Sequence, residues 1–550
     1  MIPFFQSLQH SQQISKMGNN IDIFLSTLLS SHSFLTLILF IFLGLFIHHA
    51  NGIRRTHTFS IPPGPKPWPL IGSLPELLNN KPAFRWIHKI MDKMNAEIIC
   101  IRLGNVHVIA VTAPEIALEF LKQQDIVFSS RPISLPPKIA SGGYKTTALS
   151  PWGEQWKKMR RVLASEVLSM ERHRWLQCKR DEESDHLVRY VYNQCHMKGG
   201  VVNVRIATQH YCGNMIRKII FGRRFFGVGA VDGGPGPEEV EHVKSSLTIL
   251  QYLYSFCISD YIPFLRGYLD LDGHENMTRE ACESLRKYQD PIIDERIKQW
   301  KEGKKEDQED ILDILIMLKD PNGQPLLSSD EIKAQIVELI IATVDNPSNA
   351  VEWALAEMLN QPQTMYKALE ELDRVVGNSR LVEESDIPRL NYLKSCIKES
   401  FRIHPINPFN IPHVSISDTN VAGYFIPRGS HVLLSRPGLG RNPRVWSEPL
   451  RFIPERHLKD DGSNVGLTDP DLRILSFSIG RRGCAGVTLG STITVMLFAR
   501  LLHSFSWSLP PDVPKIELKE SPDDLLLAKP LVAIAKPRLD EKLYQQLGLF

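Results

Sequence analysis

The stretch Phe477-Ser-Ile-Gly480-Arg-Arg482-Gly-Cys484-Ala-Gly486 constrains this chain more than any other. One cysteine stands in a glycine-rich turn, with an arginine two residues before it and an apolar segment, Val487 to Leu502, after it. Glycines permit positive φ and close backbone approach, and neighbouring amide N–H groups can hydrogen-bond a sulfur. The apolar segment reads as a helix whose N-terminal dipole stabilises negative charge on Cys484. Such a turn suits an exposed loop that delivers a thiolate to a metal. A lone buried cysteine between surface arginines is the plainer reading, and the number of fixed positions around Cys484 argues against it.

A net charge of +3 over 550 residues gives no case for nucleic-acid binding. The eight cysteines are scattered without a C-x-x-C pair, which argues against zinc sites and a disulfide scaffold and for a reducing compartment. Residues 1–20 form a polar tail. Residues 21–48 hold an apolar run long enough to cross a bilayer as a helix, ending at His48 without a small-residue cleavage site. Arg54, Arg55 and Lys66 follow it and Lys16 alone precedes it, which puts the C-terminal body in the cytosol. Residues 49–69 are basic and then proline-rich, with five prolines between Pro62 and Pro69, a stiff extended spacer. Residues 70–550 are the expected catalytic domain.

Ala96 to Gly104 and Val106 to Thr112 read as two strands joined at Gly104-Asn105. Helical patterns then dominate: Pro114 to Gln124, Trp152 to Arg172, a stretch from Asp181, Pro237 to Tyr254 and Glu280 to Glu302. Ser328-Ser-Asp-Glu331 is a capping box opening a helix to about Asn360. Its middle, Ala342-Thr-Val-Asp345-Asn346-Pro347-Ser-Asn349, violates helix rules. Pro347 lacks an N–H, and Asn346 before it is pushed away from helical geometry. A strained polar patch inside a long apolar helix is better explained by function than by packing. The fold expected is mainly α with small β parts.

The F-x-x-G-x-R-x-C-x-G frame resembles the haem-ligand loop of the haem-thiolate monooxygenases, the cytochrome P-450 superfamily. The resemblance extends to Trp156 and Arg160, Glu399-Ser-Phe-Arg402, Pro454-Glu-Arg456 and the central helix. The run Asp345-Asn-Pro-Ser-Asn-Ala-Val-Glu-Trp353 is similar to one plant subfamily, the aldoxime-forming amino-acid N-monooxygenases. Within the superfamily's oxygen-binding pattern Ala342 and Asp345 match, while Thr343 replaces Gly and Asn346 replaces Thr.

The resemblance implies the cytochrome P-450 fold and haem b, its iron ligated axially by Cys484. Trp156, Arg160, His413, Phe477 and Arg482 would contact that cofactor, with Asp345 and Asn346 as catalytic proton relay. Glu399, Arg402 and Arg456 would be structural support, and His457 stands where Phe is commoner. Electrons would come from NADPH through a separate cytochrome P-450 reductase, for which Lys157, Lys158 and Arg161 offer a docking patch. The chain would sit in the endoplasmic reticulum membrane as a single-pass protein with its catalytic domain cytosolic. The activity implied is double N-hydroxylation of an amino acid, followed by dehydration and decarboxylation to an aldoxime. Lys145, in the loop before the Trp152 helix, is the expected partner of the substrate carboxylate. Two other readings stand beside this one: a hydroxylase of another hydrophobic plant metabolite, and a haem protein without monooxygenase activity.

Overall fold

Ser328 starts the helix on which the body is built. Its hydroxyl accepts the Glu331 N–H at 3.2 Å, and the Glu331 carboxylate accepts the Ser328 N–H at 2.9 Å, closing the capping box expected there. In the computed structural model, which describes residues 60–262 and 270–548 together with Thr36, Leu39, Phe40 and Gly44, this helix runs from Ser329 to Leu359. It does not break at Pro347. The helix continues through the proline, and side chains bond its own carbonyls: Thr343 to Leu339, Asn346 to Ala342 and Ser348 to Val344, at 2.8 to 2.9 Å. Most of its length is buried on every side, because helices enclose it.

We label the helices that position the site α1 (Glu154–Arg161), α2 (Val204–Phe221), α3 (Pro237–Leu253), α4 (Ser329–Leu359), α5 (Asn391–Ile403) and α6 (Val487–Ser504). Helix α2 is fixed at both ends, by the Asn203 side chain accepting from the Ile206 N–H and by Gly222 in the left-handed region. It lies along α4, as do α5 and α6. Helix α6 is the apolar segment expected after the cysteine. Among the described residues it is the one helix long and apolar enough to cross a membrane, and it is instead a core helix, 72% buried. The stretch expected as one helix from Trp152 to Arg172 ends α1 at Arg161, passes through a wider turn to Val167 and restarts at Met170 under the Ser169 cap.

The expected hairpin forms from β1 (Ile98–Leu103) and β2 (Val106–Val111), with Gly104 at φ +55° in the turn. The strands β3 (Val201–Asn203), β4 (His413–Val414), β5 (Thr419–Val421), β6 (Tyr424–Ile426), β7 (His431–Leu434), β8 (Phe505–Ser508) and β9 (Val532–Pro537) follow. The largest sheet has the order β1-β2-β7-β4, with β2 and β7 parallel and Val108 opposite His431. A second sheet, β3-β9-β8, joins the middle of the chain to its end.

The chain divides into two compact units, residues 1–60 with Trp68–Leu70, and residues 61–67 with 71–550. The expected anchor, 21–48, lies outside the described residues except for Thr36, Leu39, Phe40 and Gly44, which are helical, and so does the basic part of the hinge up to Phe59. The proline-rich part is extended, as its composition requires. Its Pro63 carbonyl accepts the Cys100 N–H at 2.8 Å, and a Cβ on Gly64 would lie 1.8 Å from the Cys100 oxygen. Residues 61–67 are thus laid along β1, and only glycine fits at 64.

Glu399 and Arg402 on α5 are fully buried. Arg402 grips both oxygens of Glu399 at 2.7 and 2.8 Å and donates to the carbonyls of Gly440, Pro449 and Arg451 at 2.6 to 3.0 Å. Arg456 reaches Glu399 at 3.1 Å, and His457 reaches it at 2.7 Å. His457 therefore gives the carboxylate a partner that a phenylalanine cannot. Burial alone would raise the Glu399 pKa, but the hydrogen bonds from Arg402 and His457 hold it at about 2. Two expectations follow. Replacing Arg402 with alanine strands a buried carboxylate and should cost about 3–5 kcal/mol in thermal unfolding. Because Glu399 is depressed in the folded state, its contribution is complete above its ordinary value of 4.5. It is lost as pH falls from there to about 2, and Glu399→Gln should flatten that part of the stability–pH curve.

Candidate active site

The Cys484 turn is shaped by backbone bonds. Cys484 N–H donates to the Phe477 carbonyl at 2.9 Å and Gly483 N–H to that of Gly480 at 3.0 Å. Gly480 sits at φ +72°, and a Cβ there would meet the Leu121 carbonyl at 2.2 Å, so the close approach demands glycine. The Phe477 ring stands edge-on to Phe401 of α5, 6.1 Å between centroids, and packs under Gly490 of α6. The Cys484 side chain has an open face yet lies deep in the body. Burial pushes its thiol up, opposed by the Gly486 N–H and the Arg160 and Arg436 guanidiniums, while Glu338 adds to the rise. A metal at the sulfur would displace that proton.

Around the turn gather Arg482, Arg131 and Arg160, none of which pairs with an acid among the described residues, whereas Arg481 is held by Asp125 at 3.3 Å. Arg482 is buried and donates to the carbonyls of Ser129, Ser150 and Thr147 at 2.5, 2.9 and 3.3 Å. Its guanidinium lies over the Trp156 ring, 4.5 Å from the centroid. Arg131 is likewise buried, bonded to the carbonyls of Ala148, Ile411 and Pro412 at 2.7 to 3.1 Å. Arg160, one turn after Trp156 on α1, is half-buried, and neither its guanidinium nor the Trp156 N–H has a hydrogen-bond partner among the described residues. Burial, then Arg131, lowers Arg482 to about 8, with Arg160 adding to the fall and Glu338 opposing it; burial brings Arg131 to about 10. Glu338 of α4 is occupied by the N–H groups of Thr147 and Ala148.

Guanidiniums this deep need an anion. A flat group with two carboxylates beside a thiolate-ligated metal fits these donors, and haem is such a group. Ala342 is exposed midway along the otherwise buried α4, which marks open space beside that turn.

The structure thus brings Cys484, Phe477, Arg482, Trp156 and Arg160 together. His413, at the start of β4, is close to Arg131 and Arg482, but its Nδ1 pairs with the Phe128 carbonyl at 2.7 Å. A carbonyl only accepts, so Nδ1 carries the proton. Burial, and then Arg131, push His413 far below its ordinary value. In the neutral form its other nitrogen accepts, so a bond donated by His413 to a cofactor carboxylate requires a second proton. Arg131 is the contributor sequence reasoning missed. In Ser129-Ser130-Arg131-Pro132 it reads as an ordinary surface cation, with no spacing that links it to Cys484.

Two further expectations are corrected. Lys145 does not line the main cavity; its ammonium pairs with Asp330 in the first turn of α4 at 2.8 Å. Lys158 is not a free surface cation, since it binds Glu331 at 2.8 Å; Lys157 is exposed but pairs with Glu154 at 2.7 Å, and Arg161 is exposed.

Asp345 and Asn346 sit one turn beyond Ala342. Asn346 Nδ2 donates back to the Ala342 carbonyl, leaving its Oδ1 without a donor among the described residues. Asp345 is buried and faces a cavity of about 890 Å³ bounded by α2, α3, Ile406 to Phe409 and Asp523 to Leu526. Burial, then Asp524, raise Asp345 to about 7.

A family model described as cytochrome P-450 matches residues 62–535. A tryptophan N-monooxygenase of Prunus mume is 58% identical over 93% of this chain and 96% of its own length. An isoleucine N-monooxygenase of Lotus japonicus is 56% identical over 93% and 96%. A tyrosine N-monooxygenase of Sorghum bicolor is 56% identical over 89% and 88%.

Replacing Arg131 with leucine should speed haem transfer to apomyoglobin by about tenfold or more, the scale of one charge-assisted hydrogen bond. Cys484→Ser should abolish the thiolate-type Soret band of the reduced CO complex.

Proposed function

The chain belongs to the cytochrome P-450 family, and from that premise we propose that it N-hydroxylates the α-amine of an L-amino acid twice. The aldoxime forms after dehydration and decarboxylation. One observation carries this reading. Relatives named for N-oxygenation of tryptophan, isoleucine and tyrosine are each 56–58% identical to this chain over about nine tenths of both lengths. The names differ in the amino acid and agree in the reaction, so similarity at this level supports the shared chemistry and leaves the side chain open.

When bound through Cys484, the haem supplies oxygen activation and two-electron oxidation. The chain's own residues supply the rest. Arg131, Arg160, Arg482 and the Trp156 N–H would hold the cofactor's carboxylates, with His413 beside them. Phe477 and the Gly486 N–H shield and polarise the sulfur. Asp345 and Asn346 handle protons, Asp345 through a carboxyl poised near neutrality and Asn346 through its open Oδ1. The electrons come from NADPH by way of a cytochrome P-450 reductase, with Lys157 and Arg161 as part of its docking face. Residues 21–48 anchor the chain in the endoplasmic reticulum membrane, with the catalytic body in the cytosol.

Microsomes containing this protein and a reductase, given NADPH and each of the twenty amino acids, should produce an aldoxime of matching mass from one or a few of them. A protein with an intact thiolate-type Soret band and no aldoxime from any amino acid would overturn the reading.

A further inference from the structure

The main cavity carries a carboxyl pair that haem binding leaves unused. Asp345 enters it from the middle of α4, and Asp524 faces the same cavity from the C-terminal segment. The Asp345 carboxyl has no hydrogen-bond donor among the described residues. Asp524 is half-buried and takes the Leu526 N–H at 2.8 Å on one oxygen. The two are close enough for Asp524 to oppose ionisation of Asp345.

Their juxtaposition is built. The Trp353 N–H on α4 donates to the Leu525 carbonyl at 3.1 Å, and Glu352 accepts the Leu531 N–H at 2.8 Å. Arg205 of α2 bridges Glu352 at 2.8 Å and the Leu527 carbonyl at 2.6 Å. These bonds bolt the segment bearing Asp524 to the helix bearing Asp345. Arg205 is spent on Glu352, Arg85 reaches only the backbone carbonyl of Asp524 at 3.3 Å, and among the described residues no cation pairs with the Asp345 or Asp524 carboxyl. A cavity corner with that balance takes a cation. Ile406 and Phe409 also line the cavity and offer apolar surface for the remainder of a ligand.

We propose that Asp345 and Asp524 form the cradle for the substrate's amino group, and that Asp345 takes a proton from it. This rests on the amino-acid reading above. In water the α-amine is an ammonium with no lone pair to oxidise. In the cradle the N–H bond breaks, the proton moves to the Asp345 carboxylate and the electron pair stays on nitrogen. Ammonium and carboxylate become amine and carboxylic acid, with no other reactant needed. Burial has tuned Asp345 to about 7, so near neutrality it can both attract the cation and hold its proton.

The test uses purified holoenzyme and isothermal titration calorimetry. The probes are L-tryptophan, L-phenylalanine, L-tyrosine, L-valine and L-isoleucine, and the five acids that replace the amino group with hydrogen. For the amino acid that binds most tightly, Asp524→Asn should raise Kd by about tenfold or more, as loss of a charged partner does, and Asp524→Glu should restore most of it. The matching amine-free acid should bind wild type and Asp524→Asn alike, within twofold. Wild-type affinity for the amino acid should rise with pH through about 7 as Asp345 ionises, and Asp345→Asn should lose that rise. The other groups facing Asp345 are Arg205 and Cys212 of α2, Tyr254 at the end of α3, Glu352 of α4 and Asp524, and all remain in that variant. Haem content and the Soret band report folding, and Asp524→Asn stands as the test if Asp345→Asn does not fold. Equal losses for amino acid and amine-free acid, or no loss for either, would overturn the cradle. Aldoxime production with unchanged binding in Asp524→Asn would overturn the cradle and leave the amino-acid reading standing. Binding of none of the five amino acids, with no aldoxime in the microsomal assay, would overturn both.

Discussion

The Glu399–Arg402 pair is the contact on which the cysteine side of the molecule depends. Two opposite charges taken wholly out of water carry a large desolvation cost, recovered only if every remaining donor and acceptor is met. Here they are met by the chain that surrounds the pair. Arg402 spends its spare N–H groups on three carbonyls between Gly440 and Arg451. Glu399 collects the Ile453 N–H, Arg456 and His457. Thirteen residues of irregular backbone, 440 to 452, are thus closed over α5 without regular secondary structure of their own beyond Gly440. Phe401, on the same helix, meets Phe477 at the start of the cysteine turn. The support and the turn it steadies are one construction.

Charge is sorted across the interior. Near Cys484 the guanidiniums of Arg131 and Arg482 meet carbonyl oxygens, and that of Arg160 has no hydrogen-bond partner among the described residues. Along α4 and the C-terminal segment Glu352 takes Arg205, while the carboxyls of Asp345 and Asp524 have no ion-pair partner among the described residues. Each group is costly as it stands, the first for want of anions and the second for want of a cation. The first arrangement suits a cofactor with two carboxylates, the second a basic nitrogen. A zwitterion could not be placed indifferently in such a field: its amine is drawn toward α4 and its carboxylate repelled from there.

Several of these features can be read from the linear chain because they are local. Gly104-Asn105 turns a hairpin, Ser328 and Glu331 close a capping box, and the glycines about Cys484 shape a turn, all through bonds between residues a few positions apart. Trp156 and Arg160 share a face because four residues make about one helical turn. Pro347 shows the limit of local reasoning. Its cost is real, yet the helix persists because the enclosing helices stabilise it. Lys145 and Lys158 mislead for a related reason: a lysine in a loop or on a helix face looks free until the acids at the start of α4 are brought beside it.

By itself the sequence determined the cysteine turn, the hairpin, the helical character of the body and the E-x-x-R support, since in each case the interacting groups lie within one or two turns of chain or belong to a motif. Only the tertiary structure decided that Arg131 joins Arg482 and Trp156, that His413 spends its proton on Phe128, and that Asp524 faces Asp345. Those partners are separated by between about 25 and 350 positions. Their meeting depends on how α2, α4 and the two sheets pack, and no periodicity in the chain encodes a distance between side chains so remote.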